Sequence, residues 1–410
     1  MKVAILVKRF PVLSESFVLR LVESLYESGT EVSVCVTEDF DSRLLATLSP
    51  RVSSLVDEGQ IPVNAPRLLP GRSSPWKAAR FLLSLATSPV FAFKLFRQGI
   101  RAKTVMQCLW ARESIGSSEY GIVHAQFLPV AVAAVAATSS TNCIAAPHVV
   151  SYIRGFDVST SDAVTDREFS TLLAAGPRLS ITSVSRSLVK RIVDRGFPGG
   201  RVEVVHAGLP LQDLKYRPPS SRNNARLKLV QVGRLVEKKG YELSLRALAN
   251  LDHQFDFHII GDGDDAAKLH MLANELGIAT KVFFHGAMNH SDTVEFVGNC
   301  DVMLTPSVTA RNGDVEGIPN VIKEAMALGV ICLGSNHSGI PELLSPGVTG
   351  FLFNEGQIDD YVEQLNYLIS SRHRWDDMSN SARDLIESSF EASNVTKRLL
   401  HHYQTMSAVH

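Results

Sequence analysis

Short, strand-like segments alternate with helical patterns along this chain, and they do so in two successive rounds. Residues 3–7, V-A-I-L-V, contain no polar alternation, as a strand covered on both faces requires. A loop over 8–13 leads to Ser14, a residue type that caps helices by accepting from the first free backbone N–H groups. Phe17, Val18, Leu21, Val22 and Leu25 then fall at helical spacing, Gly29 closes the helix, and 31–37 reads as the next strand. Strand-like runs recur at 121–126, 148–153, 179–183 and 202–206, separated by helical patterns at 130–138, 166–175 and 185–195. Alternation of this kind predicts an α/β fold built on a doubly wound parallel sheet, whose ligands bind at the carboxyl ends of the strands.

The polar, Pro-rich stretch 212–226 shows no periodicity and is expected to be a domain linker. The alternation restarts after it, with strands at 227–232, 255–260, 281–285, 301–305, 330–334 and 350–353 and helices over 241–251 and 266–276. A helical tail follows from 358 to 406. A chain of 410 residues exceeds what one core usually serves, so two domains are expected. The expected division is 1–211, a linker at 212–226, a second domain at 227–385, and a C-terminal helix at 386–410 packing back on the first domain.

Apolar residues make up 45% and charged residues 20%, the balance of an ordinary globular protein, and the net charge of −1 gives no reason to expect nucleic acid. The five cysteines are scattered without C-x-x-C or metal-type spacing, which reads as buried reduced thiols in an intracellular protein. The apolar run at 3–7 is too short for a signal peptide and is followed at once by Lys8 and Arg9. Residues 59–112 contain no Asp or Glu but nine Lys and Arg, interleaved with Trp76, Phe81, Phe91, Phe93, Phe96 and Trp110. That pattern suits a helix lying on an anionic membrane surface. The competing reading is a helical pair whose aromatics face its own core. The expected location is cytoplasmic, with peripheral contact on the inner face of the membrane.

Two carboxylates, Glu316 and Glu324, lie eight positions apart around a helix start marked by Gly317, Ile318, Pro319 and Asn320. Pro319 suits the first helical position, and Val321, Ile322, Ala325, Met326 and Leu328 continue a largely buried helix that Gly329 can end. Glu324 sits inside that helix near apolar packing, where a carboxylate needs a partner. Arg234 follows the end of a strand and Lys239 precedes a helix, so both are expected at the carboxyl edge of the second sheet. One guanidinium and one ammonium there make a clamp for a diphosphate, and the nearby helix start also favours phosphate. Gly261–Asp265, G-D-G-D-D, reads as a tight turn in preference to a metal site, because no ligand cluster is completed elsewhere. No G-x-G-x-x-G, P-loop or G-x-S-x-G motif is present. His337 and His206, near strand ends, read as satisfied loop histidines.

In order along the second half stand G-R-L-V-E-K-K-G, F-H-I-I-G-D-G, V-F-F-H-G, N-G-D-V-E-G-I-P-N-V-I-K-E-A-M-A-L-G and H-S-G-I-P-E-L-L-S-P-G-V-T-G-F-L. With F-P-V-L-S-E-S-F near the N-terminus, the chain resembles a retaining family 4 glycosyltransferase of the two-domain GT-B fold. It is most like the colanic-acid and related exopolysaccharide glycosyltransferases. The resemblance implies that Arg234 and Lys239 bind the donor diphosphate and that Glu324 binds the ribose hydroxyls. It places Glu316 at the donor sugar near the reacting carbon and the backbone around Met288 beside the nucleobase. It also implies a nucleotide-sugar donor, expected to be a UDP-hexose, with no prosthetic group and no metal, and a growing glycan, expected to be lipid-linked, as acceptor. In the first half the family's His-Gly pair is replaced by S-Y-I-R-G-F-D, so that Arg154 stands where a histidine is expected. Arg cannot act as a base at neutral pH but can hold a phosphate or carboxylate. Ser14, Glu15 and Asp157 are expected to face the acceptor or the donor sugar, and Asp314 to help choose the sugar. The alternative reading, motivated by Arg154, is a non-catalytic sugar-nucleotide-binding assembly protein on the same fold.

Overall fold

The structure, a computed structural model, describes residues 1–12, 15–65, 88, 92–93, 102–116, 120–139, 147–159, 163–222 and 226–408. The chain divides into two compact units. The first comprises 1–183, 191–208 and 396–410, the second 184–190 and 209–395.

The first unit is built on seven strands: β1 (Lys2–Phe10), β2 (Glu31–Phe40), β3 (Val63–Asn64), β4 (Ile122–Gln126), β5 (His148–Ile153), β6 (Leu179–Ser183) and β7 (Val202–Val204). Their order across the sheet is β3-β2-β1-β4-β5-β6-β7, parallel throughout. Such a sheet is wound outward in both directions from β1, and β1 and β4 flank the point where the connections change side. Val3 to Val7 are inaccessible to solvent, as an apolar run without alternation demands. The second unit repeats the plan with β8 (Leu227–Val232), β9 (Phe255–Ile260), β10 (Val282–Phe284), β11 (Val302–Thr305), β12 (Ile331–Ser335) and β13 (Phe351–Phe353) in the order β10-β9-β8-β11-β12-β13. Its switch point lies between β8 and β11. Both halves therefore have the expected doubly wound α/β architecture.

Several local expectations shift. The first helix, Ser16–Glu27, has Glu15 as its N-cap residue without a side-chain cap, and Ser14 lies outside the described residues. The edge strand Val63–Asn64 and the helices Ser42–Leu48 and Pro50–Asp57 were not marked by the apolar pattern, because each is short and fully buries at most two side chains. Residues 212–222 pack on the second unit. Leu214 enters its core, and the Arg222 guanidinium donates to the carbonyls of Arg217, Gly298, Leu328 and Gly329 at 2.8–3.1 Å. Polar side chains there are spent on backbone acceptors, which leaves no periodic signature.

Most of the basic segment 59–112, including 66–87, 89–91 and 94–101, lies outside the described residues. Its described end, in helix Ala102–Ile115, turns Trp110 into the core, as in the competing core reading of that segment. Among the described residues no helix is long and apolar enough to cross a membrane.

The C-terminal helix Ala392–Ala408 contributes its last turns to the first unit, where they close a buried polar layer. The His402 imidazole meets Glu203 at 2.5 Å and Ser180 at 3.0 Å, and Ser180 meets His148 at 3.1 Å. His124 is hydrogen-bonded through Nδ1 to the Tyr403 hydroxyl and meets its ring edge-on. Burial, reinforced by His402 and Arg154, pushes the His124 imidazole down from 6.5 to about 3. A base that is hard to protonate in the folded chain and easy to protonate in the unfolded one favours unfolding in acid. Its neutral form is fully compatible with folding above about 6.5, and stability is lost as pH falls from there toward about 3. The melting temperature should therefore drop between pH 7 and pH 4.5, and His124→Gln should make that drop shallower. His258, pushed down to about 4 by its own burial, keeps a residual slope of the same sign in that variant.

Candidate active site

The loops that leave β8 and β11 at the switch point carry most of the predicted residues of the second half. Gly233 follows β8 with φ +145°, and a short 3-10 turn, Glu237–Lys239, brings the chain to Gly240 at φ +68°. Buried polar groups fix this loop from beneath. Gln231 donates to the Lys239 carbonyl at 2.8 Å and accepts from Ser244 at 2.7 Å, while the Tyr241 hydroxyl donates to the Gly233 carbonyl at 2.8 Å. The loop after β11 passes so close that a Cβ on Gly240 would stand 1.8 Å from the Pro306 carbonyl oxygen. Only glycine can hold that left-handed backbone against a neighbouring main chain.

This contact brings two charge sets together. Glu316 is largely buried and meets Lys239 Nζ at 3.1 Å and Lys238 Nζ at 3.6 Å, and Lys238 also pairs with Asp314 at 2.9 Å. Burial pushes the Glu316 carboxyl up, but Lys239, Lys238 and His337 outweigh it and hold the group below its ordinary 4.5. The Glu316 backbone N–H points at His337 Nε2 at 3.4 Å, and His337 Nδ1 meets Glu355 at 2.9 Å. This arrangement puts the imidazole proton on Nδ1. His337 is thus a partnered histidine, yet it orients the Glu316 main chain. Arg234 lies exposed on the same loop as Lys239 and forms no ion pair among the described residues.

Pro319 is the N-cap residue, so helix Asn320–Ala327 begins one position later than the sequence suggests, and Gly317 and Ile318 lead into it. Glu324 is 8% exposed and bonded through Oε1 to His290 Nε2 at 3.0 Å. Met288, half-buried against the core, lies just before helix His290–Gly298, which delivers that histidine. In Gly261–Asp265 the Asp262 carboxylate accepts from the Gly263 N–H at 2.7 Å, as in a tight turn. In the first unit, Arg154 and Asp157 follow β5, and Glu15 stands at the start of the first helix.

Lys238, His290 and Glu355 went unmarked in the sequence. Lys238 is hidden beside Lys239 in a K-K pair, and no spacing rule ties His290 to Glu324 34 positions away.

The family model described as Glycosyl transferases group 1 matches residues 213–385, the stretch that holds both loops and both carboxylates. The second unit carries a group 1 glycosyl transferase domain. Outside that domain likeness extends further. A Salmonella typhimurium protein named as a colanic acid biosynthesis glycosyltransferase, WcaL, is 24% identical over 99% of this chain and 100% of its own length. The amylovoran biosynthesis glycosyltransferase AmsK of Erwinia amylovora is 31% identical over 50% of this chain and 51% of its own. The GT-B fold is shared with Anabaena HepE, solved in complex with UDP, at TM-score 0.70 and 18% identity over 99% of this chain and 100% of that one.

Gly240→Ala should lower the stability of the group 1 domain by at least about 2 kcal/mol, because strained backbone and a main-chain clash add. A thermal melt equal to the parent's would show that the β8 and β11 loops do not need this approach.

Proposed function

We propose that this chain is a retaining, metal-independent glycosyltransferase that moves a hexose from a UDP-sugar to a glycan acceptor. The observation that carries the reading is Glu316, buried and kept ionised by Lys239 and Lys238 at the switch point of the domain. Arg234 and Lys239 take the donor diphosphate, Glu324 the ribose diol in exchange for His290, and the backbone at Met288 borders the base. The backbone N–H groups of Gly317, Ile318 and Asn320 serve the same phosphates in this reading. As the bond from the anomeric carbon to phosphate oxygen breaks, negative charge gathers on the diphosphate, where fixed cations lower the barrier. The acceptor hydroxyl forms the new bond on the face the phosphate leaves, and its proton passes to the departing phosphate. Glu316 holds the donor sugar and is not the nucleophile. The names of the relatives support a place in exopolysaccharide synthesis; a lipid-linked glycan presented at a membrane is the acceptor this reading adds.

A hydrolysis and transfer screen across UDP-, GDP- and ADP-sugars tests the donor. Donors that bind but are never turned over with lipid-linked acceptor extract would favour the non-catalytic assembly protein. Glu316→Ala should abolish transfer with little loss of UDP affinity, whereas Glu324→Ala should weaken UDP roughly tenfold or more, the effect of losing hydrogen bonds to a charged group. Weaker UDP binding in Glu316→Ala and not in Glu324→Ala means the two roles are exchanged. Peripheral attachment through 59–112 predicts co-sedimentation with vesicles containing anionic lipid; equal sedimentation with neutral vesicles removes that part of the proposal.

A further inference from the structure

Arg154, directly after β5, carries a guanidinium two of whose nitrogens, Nε and Nη2, are unspent among the described residues. Its guanidinium lies over the Phe17 ring, with Cζ 3.2 Å from the centroid, and Tyr152 stands at 5.0 Å. Stacking fixes the plane of the fork and uses none of its in-plane donors. Nε and Nη2 are withdrawn from solvent and have no hydrogen-bond partner among the described residues.

Among the described residues, the polar groups that face Arg154 leave Nε and Nη2 unmet. Asp157 accepts from the backbone N–H groups of Arg154 and Leu128 at 3.0 and 3.3 Å, and burial pushes its carboxyl up to about 6. The Tyr152 hydroxyl donates to the Val205 carbonyl at 3.0 Å and accepts from the guanidinium outside Nε and Nη2. Glu15 feels the Arg154 charge, but burial outweighs it and raises the carboxyl, and no ion pair joins the two. Tyr152 is flanked in the ladder by Gln126 and Thr182, whose amide and hydroxyl are also buried without partners. Three unmet polar side chains thus gather at the carboxyl edge of β4, β5 and β6. A guanidinium left in this state is costly unless something anionic completes it.

We propose that Arg154 holds the carboxylate of a hexuronate, making an acidic sugar part of the substrate. Two carboxylate oxygens match the parallel N–H groups of Nε and Nη2. A phosphate dianion would bring a larger negative charge beside Glu15 and Asp157, which favours the monoanionic carboxylate. The assignment rests on the glycosyltransferase reading and leaves two sources for the uronate: the donor sugar, or a terminal residue of the acceptor glycan.

Calorimetric titration of the full chain separates them. One arm compares UDP-glucuronate with UDP-glucose; the other compares methyl glucuronide with methyl glucoside, with and without saturating UDP. The charged member of one pair should bind roughly tenfold tighter or more, as a charge-assisted bidentate contact implies, and the pair that responds names the source. Arg154→Gln should erase the preference, leave UDP affinity unchanged and melt no lower than the parent, because it removes an uncompensated buried charge. Arg154→Lys, which keeps the charge and loses the fork, should recover only part of it. The proposal is overturned by equal affinity within both pairs, by a preference that survives Arg154→Gln, or by glucose 6-phosphate binding better than methyl glucuronide. A chain that binds methyl glucuronide in an Arg154-dependent way but not UDP would defeat the glycosyltransferase reading while leaving the carboxylate site in place.

Discussion

A carboxylate withdrawn from water must be matched by positive charge, and Glu316 is matched from two directions in the chain. Its lysines come from the loop after β8, and Glu316 itself comes from the loop after β11. In a sheet ordered β10-β9-β8-β11-β12-β13 these are the loops that diverge at the switch point. The ion pair therefore needs the sheet order, and the tight passage of Gly240 under the Pro306 carbonyl needs the same neighbours. Replacing either side of the pair leaves a charge without compensation in a region of low dielectric.

The architecture was readable because parallel strands covered on both faces must be apolar throughout. Residues 3–7 declare themselves in this way, whereas Leu227–Val232, Phe255–Ile260 and His148–Ile153 show an apolar majority interrupted by Lys228, Gln231, Asp256, His258, His148 and Ser151. Glu316, Glu324 and Lys239 were readable because glycine, proline and acid stand at fixed offsets around a helix start. What escaped was contact between residues far apart in the chain. His290 reaches Glu324 through packing of one helix on another, and the short helices after β2 bury too little to leave a pattern. The stretch 212–226 shows the opposite failure, since polarity there reflects side chains that serve the backbone of their own unit.

The first unit shows how much polar chemistry a sheet can carry inside. The side chains of His124, Ser180 and His148 lie within or beside parallel strands and are joined to His402 and Tyr403 of the C-terminal helix. These bonds give the last helix a specific seat, where apolar packing alone would allow it to slide.

Arg222 has a consequence beyond anchoring a connection. Its four acceptors include the carbonyls that end two helices: Gly298 behind His290, and Leu328 and Gly329 behind Glu324. Arg217 adds a bond to Asn299 at 3.1 Å. One guanidinium thus acts as a tie-bar across the rear of the helix pair and sets the gap at the front, where the His290 imidazole and the Glu324 carboxylate face each other. The dimensions of that front opening are set about two helical turns from His290 and about one from Glu324, by a residue at the far ends of both helices.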